Sequence, residues 1–250
     1  MSTTPFKKPA DFEKDLEIFA NKFRMTLAEH SERISDYFEM TCYNLIICYY
    51  EKKGYTLEVK NLQKGCFRFK CSPKGYLDRF SYFKATKTDG KRKEDIVYIF
   101  HNATTQSAFD DQVFTTPDIV VSKTDIPDVT TDYYKTKYKL TYINNENLVT
   151  FCEAKNLKPF PELMINFFGT VHELKPECTN DETKKKKSDH LAPSLLISGT
   201  FGKPTSRIQK SFEKRYYINF FDNLFDDTSA KLFSSKSRLN RIATLGKKRR

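Results

Sequence analysis

The sequence predicts an α/β fold in which a mixed central β-sheet is flanked by helices. Three observations predict it. The N-terminal part carries apolar residues at helical spacing; short β-branched and aromatic runs bounded by Gly, Pro and Asn follow. Between two of those runs, Leu148–Leu157 and Leu195–Thr200, lies a helical pattern over residues 159–174, the order expected of a crossover. At 250 residues the chain can bury a sizeable core, as one body with appendages. The expected division is an N-terminal helical extension over 1–32, a body over 33–230 and a basic C-terminal tail over 231–250.

Taken in order, residues 1–10 read as unstructured. Helix is expected from Asp11 to about Lys53, broken near Ser31. Phe12, Leu16, Phe19, Phe23 and Leu27 recur at steps of three and four on one face, and Gly54 closes the helix. Tyr55–Lys60 and Cys66–Cys71 read as strands around a turn at Asn61–Gly65. The polar Ser72–Lys93 reads as loop, and Ile96–His101 as strand. Thr115–Lys123, TTPDIVVSK, holds a β-branched run behind Pro117 and Asp118. After a polar connection over Thr124–Lys137, Lys139–Ile143 and Leu148–Glu153 flank Asn144–Asn147, which predicts a hairpin. The helix over 159–174 offers Leu163, Phe167, Val171 and Leu174 to the core. Pro176–Asp189, with the basic run Lys184–Lys187, reads as an exposed loop. A strand at Leu195–Thr200, a helix from Thr205 or Ser206 to about Arg215 and a strand at Tyr217–Phe221 complete the body.

Composition narrows the class. No apolar run approaches the length of a membrane span, and the polar start MSTTPFKKPADFEKD does not read as a signal peptide. The expectation is a protein of the cytoplasm, or of the nucleus in a eukaryote, with no membrane partner. None of the six cysteines forms a Cys-x-x-Cys pair and the four histidines do not cluster with them, so reduced thiols are expected rather than zinc or disulfides. The net charge of +11 is concentrated: Lys231–Arg250 holds eight Lys or Arg and no acid, the footprint of a nucleic-acid-contacting or a merely solvated tail.

The stretch carrying chemistry is Leu148–Leu157, LVTFCEAKNL. Alternation along a strand puts Val149, Phe151, Glu153 and Lys155 on one face and Thr150, Cys152 and Ala154 on the other. An apolar strand that ends in an acid and an ammonium needs a partner for each. Asp118 supplies one if the two strands pair. Pro-Asp recurs at Pro127-Asp128, in a stretch that reads as loop. Glu-x-Lys recurs at Lys53, Lys60, Lys175 and Lys184, in helices, in the polar stretch Pro176–Asp189 or ahead of every Pro-Asp. Only Asp118 and Glu153 both lie on apolar strands in that order. His101, at a strand end, reads as a satisfied histidine.

Pro117-Asp118, then Glu153-Ala154-Lys155, then a helix resembles the PD-(D/E)xK nuclease superfamily, over roughly Arg33 to Phe221. The resemblance implies a restriction-endonuclease-like fold and metal-dependent hydrolysis of DNA phosphodiesters. Asp118, Glu153 and the Ala154 carbonyl would hold Mg²⁺, with Mn²⁺ able to substitute, and Lys155 would position water and stabilise charge on the phosphate. Relatives often add an acid from a helix ahead of the first strand, for which Glu39 is the candidate. The role would be restriction or defence against foreign DNA, as a homodimer or within a larger defence or repair complex. The alternative is a catalytically inactive nucleic-acid-binding module on the same fold; a plain strand-end ion pair is the bland reading of Glu153 and Lys155.

Overall fold

The computed structural model describes residues 9–27, 34–71, 75–89, 93–131, 139–180, 188–224, 232–233 and 235–248. In chain order its principal elements are α1 (Pro9–Lys22), β1 (Thr26–Leu27), α2 (Ile34–Lys52), β2 (Thr56–Lys60), β3 (Cys66–Phe67), β4 (Tyr82–Asp89), β5 (Lys93–His101), β6 (Thr105–Gln106), β7 (Phe114–Thr115), β8 (Ile119–Ser122), β9 (Asp128–Thr130), β10 (Leu140–Tyr142), β11 (Leu148–Lys155), α3 (Pro161–Leu174), β12 (Ser194–Ile197), α4 (Lys203–Arg215) and β13 (Asn219–Phe221). Seven strands form one mixed sheet in the order β13-β12-β11-β8-β5-β4-β2. β12 runs parallel to β11 and β13. From β11 to β2 every pairing is antiparallel.

Each face of the sheet has its own core. On one, α1 and α2 pack against Val97, Ile99, Ile119, Val121, Cys152 and Ala154. On the other, α3 and α4 cover Phe100, Val120, Phe151, Leu195, Ile197 and Phe220. α2 is apolar nearly all round, which suits a helix buried between sheet and neighbours. Two of its buried tyrosines have their hydroxyls bonded to distant carbonyls: Tyr43 Oη donates to the Ile99 carbonyl at 2.6 Å and Tyr49 Oη to the Asp189 carbonyl at 2.7 Å. Gly54, at φ +86°, follows α2 in the left-handed region that Gly enters without strain.

Several expectations are corrected. Tyr82–Asp89 is a strand, not loop: Phe83 and Ala85 point inward, and pairing with β5 from Phe83↔Ile99 to Asp89↔Lys93 outweighs a polar outer face. The hairpin across Asn144–Asn147 does not form. β10 pairs instead with β9, so Asp128 begins a short strand rather than lying in loop. β11 is apolar on both faces and takes the interior position between β8 and β12, where both faces are covered. β2 pairs with β4, and the strand expected at Cys66–Cys71 shrinks to β3 beside β1. In β11 the register shifts between Leu148 and Thr150, so Val149 packs with the α2 core and does not share the face of Phe151. In α3, Met164 rather than Leu163 is fully buried. α1 ends at Lys22 and Leu27 lies in β1, paired with Phe67, so the first helix stops short of the expected break; Ser31 itself, residues 1–8 and the Lys184–Lys187 run lie outside the described residues. All six cysteines are free thiols.

The basic C-terminal stretch is docked, not a detached tail. Ile242, Ala243 and Thr244 are buried. Asn219 holds Ala243 from both sides, its Oδ1 accepting from the Ala243 N–H at 2.9 Å and its Nδ2 donating to the Ala243 carbonyl at 3.1 Å. The Leu245 N–H donates to the His190 carbonyl at 3.0 Å. No helix among the described residues is long and apolar enough to cross a membrane.

Candidate functional site

Antiparallel pairing brings the start of β8 to the ends of β5 and β11: Ile119 lies opposite His101 on one side and Cys152 on the other. Continuing that register sets Pro117 opposite Ala154. Proline has no N–H, so the ladder stops there. The Ala154 N–H donates to Asp118 Oδ2 at 2.7 Å, a side-chain acceptor in place of a ladder bond. The Ala154 carbonyl points to the same side of the strand and faces a residue with no N–H to give.

Glu153 and Lys155 share the α3 face of the sheet with Asp118. Lys155 Nζ lies 2.9 Å from Asp118 Oδ2 and 2.9 Å from Glu153 Oε2, so one ammonium bridges the two carboxylates. The carboxylates are largely buried, whereas 35% of the Lys155 side chain is exposed. Burial, then the charge of Asp118, pushes the Glu153 carboxyl up to about 8, against the pull of Lys155. Burial acts to lower the Lys155 ammonium, but Glu153 and Asp118 outweigh it and hold its pKa above the usual lysine range. Two acids facing one base leave a surplus negative charge when both ionise, which favours a further cation.

The opposite face contributes Glu39, from α2. Burial, then the charge of Asp118, pushes its carboxyl up to about 7. Glu39 Oε2 accepts from Asn102 Nδ2 at 3.3 Å, and the Asn102 N–H donates to the Asp118 carbonyl at 2.8 Å. Asn102 therefore links the two acids from its place just beyond β5. Its φ of +50° is a left-handed conformation that Asn tolerates better than most residues. Lys70 is fully buried, and its Nζ donates to the Asn102 carbonyl at 2.7 Å. Burial lowers the Lys70 ammonium to about 8.

His101 is only half satisfied. Burial lowers its pKa to about 4, so the ring is neutral near pH 7. Its Nδ1 lies 3.0 Å from the Lys70 carbonyl, which assigns the proton to Nδ1, and Nε2 has no partner among the described residues.

Asp118, Glu153, Ala154 and Lys155 thus converge as expected. Glu39 comes close enough to feel Asp118 and Lys155 while bonding Asn102; among the described residues no group of three or more His, Cys, Asp or Glu is placed to hold a metal ion. The reason is geometric, since α2 packs on the other face and Glu39 is turned to Asn102. What remains is two carboxylates and a strand carbonyl, all hard oxygen donors that fit Mg²⁺ or Mn²⁺.

Asn102, Lys70, Asn156 and Ser198 were not singled out from sequence. Asn156 Oδ1 and Ser198 Oγ are buried beside the site with no partner among the described residues, and the Ser198 N–H donates to the Lys155 carbonyl at 3.2 Å. Only Asn102 carried a signal, as an Asn directly after a strand. No family model, no curated protein and no solved structure matches the chain.

Proposed function

We propose that the chain is a metal-dependent endonuclease of restriction-endonuclease-like type that hydrolyses DNA phosphodiester bonds at Asp118, Glu153 and Lys155. The observation that carries this reading is the convergence of two carboxylates and a partly exposed ammonium at one point, with the Ala154 N–H fixing Asp118. Asp118, Glu153 and the Ala154 carbonyl would hold Mg²⁺ or Mn²⁺. When bound, the metal supplies a water of lowered pKa and polarises the scissile phosphate.

The chain's own groups have separable tasks. The Ala154 N–H fixes the Asp118 carboxylate, so its orientation does not depend on metal. Glu153, pushed toward neutrality in the metal-free protein, would give up its proton near pH 7 on becoming a ligand. Lys155 reaches water with a third of its side chain and can hydrogen-bond the attacking oxygen or the phosphate as negative charge develops. Asn102 and Lys70 brace the start of β8 behind Asp118.

One observation favours the inactive reading: Lys155 already bonds both acids, which is also what a structural ion triad needs. Melting with and without Mn²⁺, beside cleavage of plasmid and single-stranded DNA, separates the two. A nuclease cleaves with Mg²⁺ or Mn²⁺ and not with EDTA. Asp118→Asn and Glu153→Gln then lose the metal-induced rise in Tm and cleavage together. A wild type that neither cleaves nor shifts its melting with metal overturns the proposal.

A further inference from the structure

Resting on the nuclease reading, we infer that the outer face of α4, continued by Lys158, is the surface that tracks the phosphate backbone of duplex DNA leading away from the site. α4 begins beside the candidate site. The Gly199 N–H donates to the Leu157 carbonyl at 3.2 Å, two residues beyond Lys155. A Cβ on Gly199 would lie 2.9 Å from Lys158 Cα, so the chain ahead of α4 is pressed against the chain that leaves β11. Lys158 is exposed there.

From that point one helical stripe carries a single sign. Lys203, Arg207, Lys210 and Lys214 are all exposed. Their spacing of four, three and four residues confines them to an arc of about 60° at 100° per residue. The inner face is occupied by buried Thr205 and by Ile208 and Phe212, which pack on the α3 core. The one acid of α4, Glu213, is buried and accepts from the Phe220 N–H at 3.0 Å, so it does not interrupt the stripe. Arg215 is engaged elsewhere, over the Phe212 and Tyr216 rings.

None of the four stripe cations has an ion-pair partner among the described residues. That is unlike Lys22, Lys60 and Lys87, which pair with Glu51, Glu58 and Asp189. Four like charges with no counter-charge repel one another, a cost that a polyanion removes. The stripe spans about 16 Å at 1.5 Å per residue. That length matches roughly five phosphates of one strand at ~3.4 Å each.

The occupant is a nucleic acid rather than an anionic membrane because the stripe lacks the apolar flank that an interfacial helix inserts: Ile208 and Phe212 face the core. The docked C-terminal segment is held where β12 and β13 begin, whereas Glu153 and Lys155 lie where β11 ends. α4 runs between those two levels and joins the site to the second basic stretch.

The test uses the full chain in EDTA, a fluorescein-labelled DNA duplex of mixed sequence and fluorescence anisotropy across a salt series. Arg207→Gln/Lys210→Gln is the main variant; both positions are exposed, and melting confirms that it folds. Each lost phosphate contact should flatten the slope of log K against log salt by about 0.9, so the double variant should lose about 2 in slope and bind at least about tenfold more weakly at low salt. A wild type that binds and cleaves duplex, with the double variant unchanged in affinity and slope, overturns this inference and leaves the nuclease reading standing. A wild type that binds no DNA and cleaves none removes both. Stripe-dependent binding to phosphatidylserine vesicles in place of DNA overturns it in favour of a membrane surface.

Discussion

Lys155 is the residue on which the two acids depend. Its Nζ lies 2.9 Å from both Asp118 and Glu153, and removing it leaves two facing carboxylates without a cation. Lys155→Ala should cost about 2 kcal/mol, below the ~3–5 kcal/mol of a fully buried pair because part of the side chain keeps its hydration. Added Mn²⁺ should restore part of that loss while cleavage stays absent, which differential scanning fluorimetry and a nuclease assay together check. The pH dependence follows from Glu153 and Glu39, raised to about 8 and about 7. A carboxyl whose folded pKa is raised contributes stability that is complete below its unfolded pKa and is lost as pH rises through the folded value. The metal-free protein should therefore lose stability between about pH 4.5 and 8 through these two groups. Glu153→Gln should flatten that fall. Metal has the opposite trend, because its ligands must be ionised, so the Mn²⁺-induced rise in Tm should grow over the same window. A Tm that is flat with pH in the wild type, and equal to that of Glu153→Gln, would contradict the assignment.

Among the elements, β11 and the segment entering α4 act as one unit. Gly199 shows how closely they approach: an added Cβ would lie 2.7 Å from the Leu157 carbonyl oxygen and 2.9 Å from Lys158 Cα. Both are backbone atoms and cannot rotate away. Gly199→Ala should cost about 1–3 kcal/mol, as other overpacking changes do. At this chain length that corresponds to a fall in Tm of roughly 3–10 °C. Since the strain falls on the residues directly after Lys155, the same variant should also weaken the response to Mn²⁺, whereas a remote overpacking would leave it unchanged.

For the molecule as a whole, the C-terminal stretch closes the end of the sheet opposite the site. Asn219, at the start of β13, is fully buried and bonded to Ala243, Ala192 and Ser194. Asn219→Ala leaves the Ala243 N–H and carbonyl without their partner and should cost about 2–3 kcal/mol. A fall in Tm of about 5–10 °C is expected. Deleting residues 239–248 should destabilise at least as much, because Leu239, Ile242 and Ala243 leave the core with it. A truncated chain that melts like the full one would mean that the segment carries charge alone.

The sequence by itself determined the α/β class with its mixed, helix-flanked sheet, and that Asp118, Glu153 and Lys155 would meet. Helical spacing in α1 and α3, the β-branched run of β8 and the doubly apolar β11 are local patterns. Pro117-Asp118 and Glu153-Ala154-Lys155 could be selected over their repeats because each sits on such a pattern. Tertiary structure alone decided pairing. β4 is too polar outside to read as a strand until β5 supplies its hydrogen bonds, and β11 left its expected hairpin because both its faces needed cover. It also decided where Glu39 points, since α2 packs on the face opposite Glu153 and Asn102 stands between the helix and β8. The basic segment shows the same division: its charge is legible residue by residue, but its burial depends on Asn219 and His190, brought beside it only when β12 and β13 pair. Periodicity records which surface a segment must bury; the identity of the partner that buries it is set by contacts far away in the chain.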